Sequence, residues 1–230
     1  ALVDLAFVPV LAAKVLTQLL KRPKPQQMIF LVTLSLFWVA NLMVHLEWMG
    51  LTQDTLWAGL RAGLLTLGVM IMVLGGRVTP GFTKNAMVQS GRSTGLPRNP
   101  TPLAAVAIAA ALSQPIGYLL GAAPAWLGPL ALIAGGAGLL RVALWRGLWT
   151  RDKPILWVLH LSYAMNALGF VVLGLANCGI GSEIAALHVL GIGGVGGMTL
   201  AMMSRASLGH SGRALVAPKE VALAYALIPL

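Results

Sequence analysis

Glu183-Ile-Ala-Ala-Leu-His188-Val-Leu-Gly-Ile-Gly193-Gly-Val-Gly-Gly197-Met-Thr-Leu-Ala-Met-Met-Ser-Arg205-Ala-Ser-Leu-Gly-His210-Ser-Gly-Arg213 decides how the rest of the chain is read. Between Glu183 and Arg205 there is no charge, glycine is frequent, and one histidine stands near the start. At about 1.5 Å of rise per residue, such a run spans a hydrocarbon core of about 30 Å. A histidine inside such a segment is costly to bury and so marks a candidate functional site.

The composition extends this reading to the whole chain. Of its 230 residues 58% are hydrophobic and only 10% charged, and the mean hydropathy is +0.84. Soluble domains carry about 25% charged residues, so the chain reads as a polytopic membrane protein. It opens at Ala1, without an initiator methionine or a signal-peptide n-region, and reads as an interior piece of a longer polypeptide.

Six further apolar runs precede the first, and their loops alternate in charge. Lys and Arg cluster at 21–24, 77–98, 141–153 and 205–219, whereas loops 47–55, 121–124 and 176–183 have neither. Under the positive-inside rule the basic loops face the cytoplasm. The expected fold is an all-α, polytopic transmembrane helix bundle forming a single domain over 1–230. It has seven full spans and a truncated eighth that begins near Val221 and is cut off at Leu230. The third span is expected over 56–74, and Gln114-Pro115 in the fourth marks a kink. Pro154 takes the favoured first-turn position of the sixth.

The net charge of +10 is distributed among these loops, with no contiguous basic and aromatic surface to follow phosphates, which argues against nucleic acid as a partner. Cys178 stands alone and excludes an intrachain disulfide or an all-cysteine metal site. Gly191-Ile-Gly193-Gly-Val-Gly196 matches the dinucleotide-loop pattern but follows no strand and lacks the acidic residue about 20 positions on. Close helix packing through Gly193 and Gly197 is the better account.

The topology sorts the four histidines by depth. His45 and His188 fall toward the outer end, His188 about 8 Å below it. His160 falls toward the inner end, and His210 in the inner loop. At helical spacing His188 shares a face with Ile192, Val195, Thr199 and Met202, with Gly193 and Gly197 opposite. Asn41 lies four residues before His45 on a stripe with Trp38, where its amide can orient the imidazole. Paired imidazoles on different helices suit axial haem ligation, or copper with a third ligand. Arg61, unpaired in the third run, can meet a haem propionate.

Each of these has a structural alternative. A membrane histidine can simply hydrogen-bond a neighbouring helix, a contact worth about 1 kcal/mol. His210 can be a solvated loop residue, and Arg61 can snorkel or neutralise a carboxylate. Trp38, Trp48, Trp57 and Trp149 suit interfacial anchors. Met70, Met72, Met198, Met202 and Met203 suit packing gaps, although thioethers also bind Cu(I).

Five stretches together resemble the NnrS family. They are Ala1-Leu-Val-Asp-Leu-Ala-Phe7, Ala40-Asn-Leu-Met-Val-His45-Leu46, Gly75-Gly-Arg-Val-Thr-Pro80-Gly-Phe-Thr-Lys-Asn85, Leu156-Trp-Val-Leu-His160-Leu-Ser-Tyr163 and Leu187 to Arg213. The last is the most specific. The resemblance implies a bacterial inner-membrane protein that binds haem b and copper and is associated with nitric oxide tolerance and denitrification, with nitric oxide as ligand. It also implies a longer chain of about a dozen spans. His45, His188 and His160 become the haem or copper candidates, with His210 a further metal candidate and Arg61 beside the cofactor. Whether nitric oxide is converted or only bound stays open, as does the oligomeric state. The alternative class is a membrane transporter or non-catalytic accessory protein with structural or proton-carrying histidines.

Overall fold

The computed structural model describes residues 2–21 and 28–228. The cations Arg22 and Lys24, and the two residues that close the chain, lie outside the described residues. Among those described there is no strand. Helices α1 (Leu2–Lys21), α2 (Ile29–Trp48), α3 (Leu56–Gln89), α4 (Thr101–Leu119), α5 (Pro124–Leu144) and α6 (Pro154–Asn177) follow in order. The seventh segment comprises α7 (Glu183–His188), a π-helical stretch (Val189–Gly196) and α8 (Gly197–His210), and α9 (Lys219–Leu227) comes last. Seven of these segments are long and apolar enough to cross a membrane.

Helices α3 and α6 form the buried centre, and α1 lies at the edge, almost wholly exposed. α5 packs along α6, α2 along α3, and α4 against both α3 and α5. Small residues permit the tightest of these contacts. A Cβ on Gly174 of α6 would stand 2.8 Å from the carbonyl oxygen of Gly128 on α5. Leu65, Met72, Leu159, Phe170, Leu173 and Leu190 fill the layer between the central helices.

The structure corrects the expected bounds of three segments. The third span does not end at 74. α3 runs for 34 residues, about 51 Å at helical rise, so residues 77–89 are helix and only 90–100 are loop. Gly75, Gly76, Pro80 and Gly81 read as helix breakers, but partners elsewhere in the chain make the helix possible. Pro80 has no N–H for the carbonyl of Gly76 four residues earlier. That oxygen instead accepts from Asn99 Nδ2 at 2.9 Å and Arg141 Nη2 at 3.0 Å.

Arg141 is the second correction. It is not a loop cation but sits in the last turn of α5, only 1% exposed.

The seventh segment is the third. It is helical to His210, where Ser211 and Gly212 (φ +69°) turn the chain, so Arg205 and His210 are not loop residues. Arg205 lays its guanidinium 4.1 Å from the centre of the Phe82 ring on α3. The i→i+5 bonding of Val189–Gly196 also widens the helix and breaks the 3.6-residue stripe on which His188, Ile192 and Val195 were expected to align. Ile192 is exposed, whereas Val195, Thr199 and Met202 line a groove against α3.

The glycines do form a packing face. A Cβ on Gly193 would lie 2.9 Å from Met165 Cβ, and one on Gly197 2.6 Å from Ser162 Oγ, both on α6.

Candidate functional site

Trp38, Asn41 and His45 lie at i, i+3 and i+7 on the side of α2 that meets α1. Trp38 Nε1 donates to the Leu5 carbonyl at 2.8 Å and ties the two helices together. One residue earlier on α1, Asp4 Oδ2 accepts from Asn41 Nδ2 at 2.7 Å and from His45 Nε2 at 2.8 Å. Contrary to expectation, the amide therefore does not hold the imidazole directly. Both groups are anchored by a carboxylate on another helix. With the proton on Nε2, His45 keeps its lone pair on Nδ1, and Trp48 presents its ring to the imidazole edge-on at 5.4 Å. Asp4 was visible as a charge within an apolar run, but nothing in the sequence pairs position 4 with position 45.

His188 is exposed near the start of the seventh segment. Its Nδ1 lies 2.8 Å from the Ile184 carbonyl. A carbonyl only accepts, so Nδ1 carries the proton and Nε2 presents a free lone pair. A histidine whose other nitrogen is held by a backbone carbonyl is the usual arrangement of an imidazole ligand to a metal.

His45 and His188 do not touch each other, and α3 intervenes between their helices. Leu60 and Leu64 of α3 line a groove of about 320 Å³ with Asn41 and Trp48 on one side. On the other side they line a groove of about 430 Å³ with Trp57, Ile184 and Leu187. Neither histidine lines these grooves: His45 turns to Asp4 on α1, and His188 follows Leu187, the last residue of α7 in the wall of the larger one.

Arg61 is paired. Its Nε lies 2.9 Å from Glu183 Oε1 in the wall of the larger groove. Tyr118 OH donates to the same oxygen at 3.2 Å. This is the carboxylate that the second reading of Arg61 required, and it commits the guanidinium Nε to a protein partner. Glu47, at the same end, caps α3: its Oε2 accepts from the N–H groups of Thr55 and Leu56, both at 2.6 Å, as favours a carboxylate at a helix N-terminus.

The inner layer differs. His160 on α6 is 5% exposed, and its Nε2 lies 2.8 Å from Thr83 Oγ1 on α3. Thr83 gives its own proton to the Thr79 carbonyl at 3.0 Å, so His160 Nε2–H is the donor between them. Nδ1 then bears the lone pair, without a partner among the described residues. It faces Gly147, whose added Cβ would come within 3.1 Å, so neither nitrogen has an open approach for a metal. His210 is exposed in the last turn of α8 and makes no contact with His160 among the described residues.

The cage around Arg141 was not anticipated from the sequence. Its guanidinium donates to the Met72 carbonyl at 3.1 Å, to the Gly76 carbonyl and to Asn99 Oδ1 at 3.3 Å. It also donates to the Tyr163 hydroxyl, and it lies 5.3 Å from the Trp145 ring centre. All of these partners are neutral. The only early signal is the pairing of Gly76 with Pro80.

As a donor set, the described residues supply separated imidazoles rather than a compact cluster. No group of three or more His, Cys, Asp or Glu side chains among them can hold a metal ion. The outer histidines fit single ligation of a haem or copper, one from each flank of α3. His160 is enclosed by Thr83 and Gly147, whereas His210 stands apart from it in the wall of a groove with Met202 and Arg205.

Fold and site together define a polytopic helical membrane protein with two carbonyl- or carboxylate-supported histidines near one end. The model of the family described as NnrS protein matches residues 1–230, and the chain belongs to that family. No curated protein and no solved structure matches it.

Proposed function

We propose that this protein binds haem b and copper in the bacterial inner membrane, with its basic loops in the cytoplasm, and serves nitric oxide tolerance. The observation that carries the reading is His188, with Nδ1–H committed to the Ile184 carbonyl and Nε2 left free. His45 is the second ligand candidate. Asp4 fixes its tautomer so that Nδ1 is the available donor atom. Haem iron and copper, when bound, supply a position that takes nitric oxide as a ligand and exchanges single electrons with it.

The chain's own residues select and shield that chemistry. Beside the segment that carries His188, Trp57, Leu60, Leu64 and Leu187 give the larger groove a mostly apolar wall, of the kind that admits an uncharged diatomic. The Arg61–Glu183 pair holds α3 to α7 and so fixes the start of the segment that carries His188.

The test is the absorption spectrum, pyridine haemochrome and metal content of the full-length protein. The proposal expects haem b with a Soret band that His188→Ala abolishes or shifts, while the protein stays folded. Haem-free and copper-free protein that is nonetheless folded would overturn it. The π-helical Val189–Gly196 stretch favours a second reading, a transporter or accessory protein in which the seventh segment moves. That reading predicts the haem-free outcome.

A further inference from the structure

At the opposite end from His45 and His188, the loop after α3 folds over the turn joining α5 to α6. Between them lies a pocket of about 470 Å³ lined by Arg92, Gly95, Arg146, Gly147, Leu148 and Trp149. It carries two guanidiniums and no acidic lining residue. The acid nearest in sequence, Asp152, is engaged by Lys153 Nζ at 2.7 Å. Neither Arg92 nor Arg146 makes an ion pair among the described residues.

The backbone is suited to an anion as well. Trp145 has φ −90° and ψ 7°, and Arg146 has φ 60° and ψ 38°. The Trp145 N–H is bonded to the Val142 carbonyl, but this succession turns the N–H groups that follow toward one side, as in a small anion-binding concavity. A non-glycine residue in the left-handed region is uncommon, and here it sets Arg146 at the pocket wall. Behind Gly147 stands the partnerless Nδ1 of the buried His160.

The rim is apolar where the pocket opens. Leu148 is 92% exposed, and Trp149 stacks under Lys153 Nζ at 4.5 Å. A free anion in water has no use for an exposed leucine and an amphipathic tryptophan. A phosphate attached to acyl chains at a membrane interface does. Basic pockets between helices at the basic end of a membrane protein suit anionic lipid headgroups, and paired guanidiniums suit phosphate oxygens.

We infer that Arg92 and Arg146 form a specific site for the phosphate of an anionic phospholipid, with Leu148 and Trp149 against its acyl region. The site is independent of haem or copper and does not rest on the function proposed above.

The test uses the full-length protein in neutral detergent. Dioleoylphosphatidylglycerol, dioleoylphosphatidylcholine or inorganic phosphate is added at equal concentration, and native mass spectrometry counts retained lipids. The site predicts one tightly retained phosphatidylglycerol and no comparable retention of phosphatidylcholine. Affinity should fall about tenfold in Arg92→Gln/Arg146→Gln through loss of two charge-assisted contacts. The control Arg77→Gln/Lys84→Gln removes the same charge from the exposed face of α3 outside the pocket and should bind like the parent. Equal loss in both variants would overturn the site in favour of diffuse attraction. Displacement of phosphatidylglycerol by equimolar inorganic phosphate would overturn the lipid as its ligand. If the double variant does not fold, Arg92→Gln alone, at an exposed loop position, must still weaken retention.

Discussion

Adding one methyl group at Gly76 should unseat a buried charge. Alanine at this position would place its Cβ 2.3 Å from Arg141 Nη2 and 2.8 Å from Cζ. The guanidinium is pinned from several sides and cannot retreat without giving up its bonds to the Met72 and Gly76 carbonyls. Hydrogen bonds to charged donors are worth about 1.5–3 kcal/mol each, so two of them amount to about 3–6 kcal/mol. Alanine regains about 1 kcal/mol of helix propensity over glycine, and part of the loss is recovered as the side chain finds new partners. The expected net destabilisation is about 2–4 kcal/mol. Gly81, the residue after Pro80 on the same helix, has nothing within 4 Å of an added Cβ. Gly81→Ala should therefore be neutral or stabilising by up to about 1 kcal/mol.

Reversible unfolding in mixed detergent micelles measures both variants. A Gly76→Ala protein within about 0.5 kcal/mol of the parent, the scatter of a neutral surface change, would refute the seating of Arg141 over Gly76. The same argument predicts coupling with Pro80. Pro80→Ala restores an N–H for the Gly76 carbonyl, so Arg141→Met should cost about 1 kcal/mol less in that background.

Three further outcomes follow from the site. Thr83→Val removes the acceptor of the buried His160 Nε2–H and should destabilise the protein by about 1–3 kcal/mol, measured by the same unfolding assay; an unchanged midpoint would mean that His160 has another partner. Arg61→Ala and Glu183→Ala should couple by about 1 kcal/mol in a double-mutant cycle, since the pair is partly exposed, and strict additivity would deny the ion pair. Asp4→Ala frees His45 from its carboxylate and should speed its modification by diethylpyrocarbonate, followed by peptide mass spectrometry, with His210 as the exposed internal reference.

The helix count and the packing role of Gly193 and Gly197 were readable because each depends on local properties. A run of apolar residues has the same cost of transfer to lipid whatever its neighbours, and a glycine permits close approach wherever a helix passes. The placement of His45 and His188 toward one end was readable for the same reason, as depth follows from position along a span. The partners of these groups were not. Asp4 is 61% exposed at its side chain and joins His45 across 41 positions, and Arg61 meets Glu183 more than a hundred positions later.

Arg141 shows the division most clearly. By sequence it is one of several cations closing a span, and charge alone sorts it with Arg146 and Arg151. Only the packed bundle brings it beneath a carbonyl that Pro80 has left without a donor, and there burial becomes tolerable. The length of α3 has the same origin, because a helix continues through proline when another segment supplies the missing hydrogen bond. The sequence by itself determined which segments enter the membrane, since that is a sum over neighbouring residues. Tertiary structure decided which polar groups satisfy one another there, since in an apolar interior a donor and an acceptor far apart in the chain have no water to turn to.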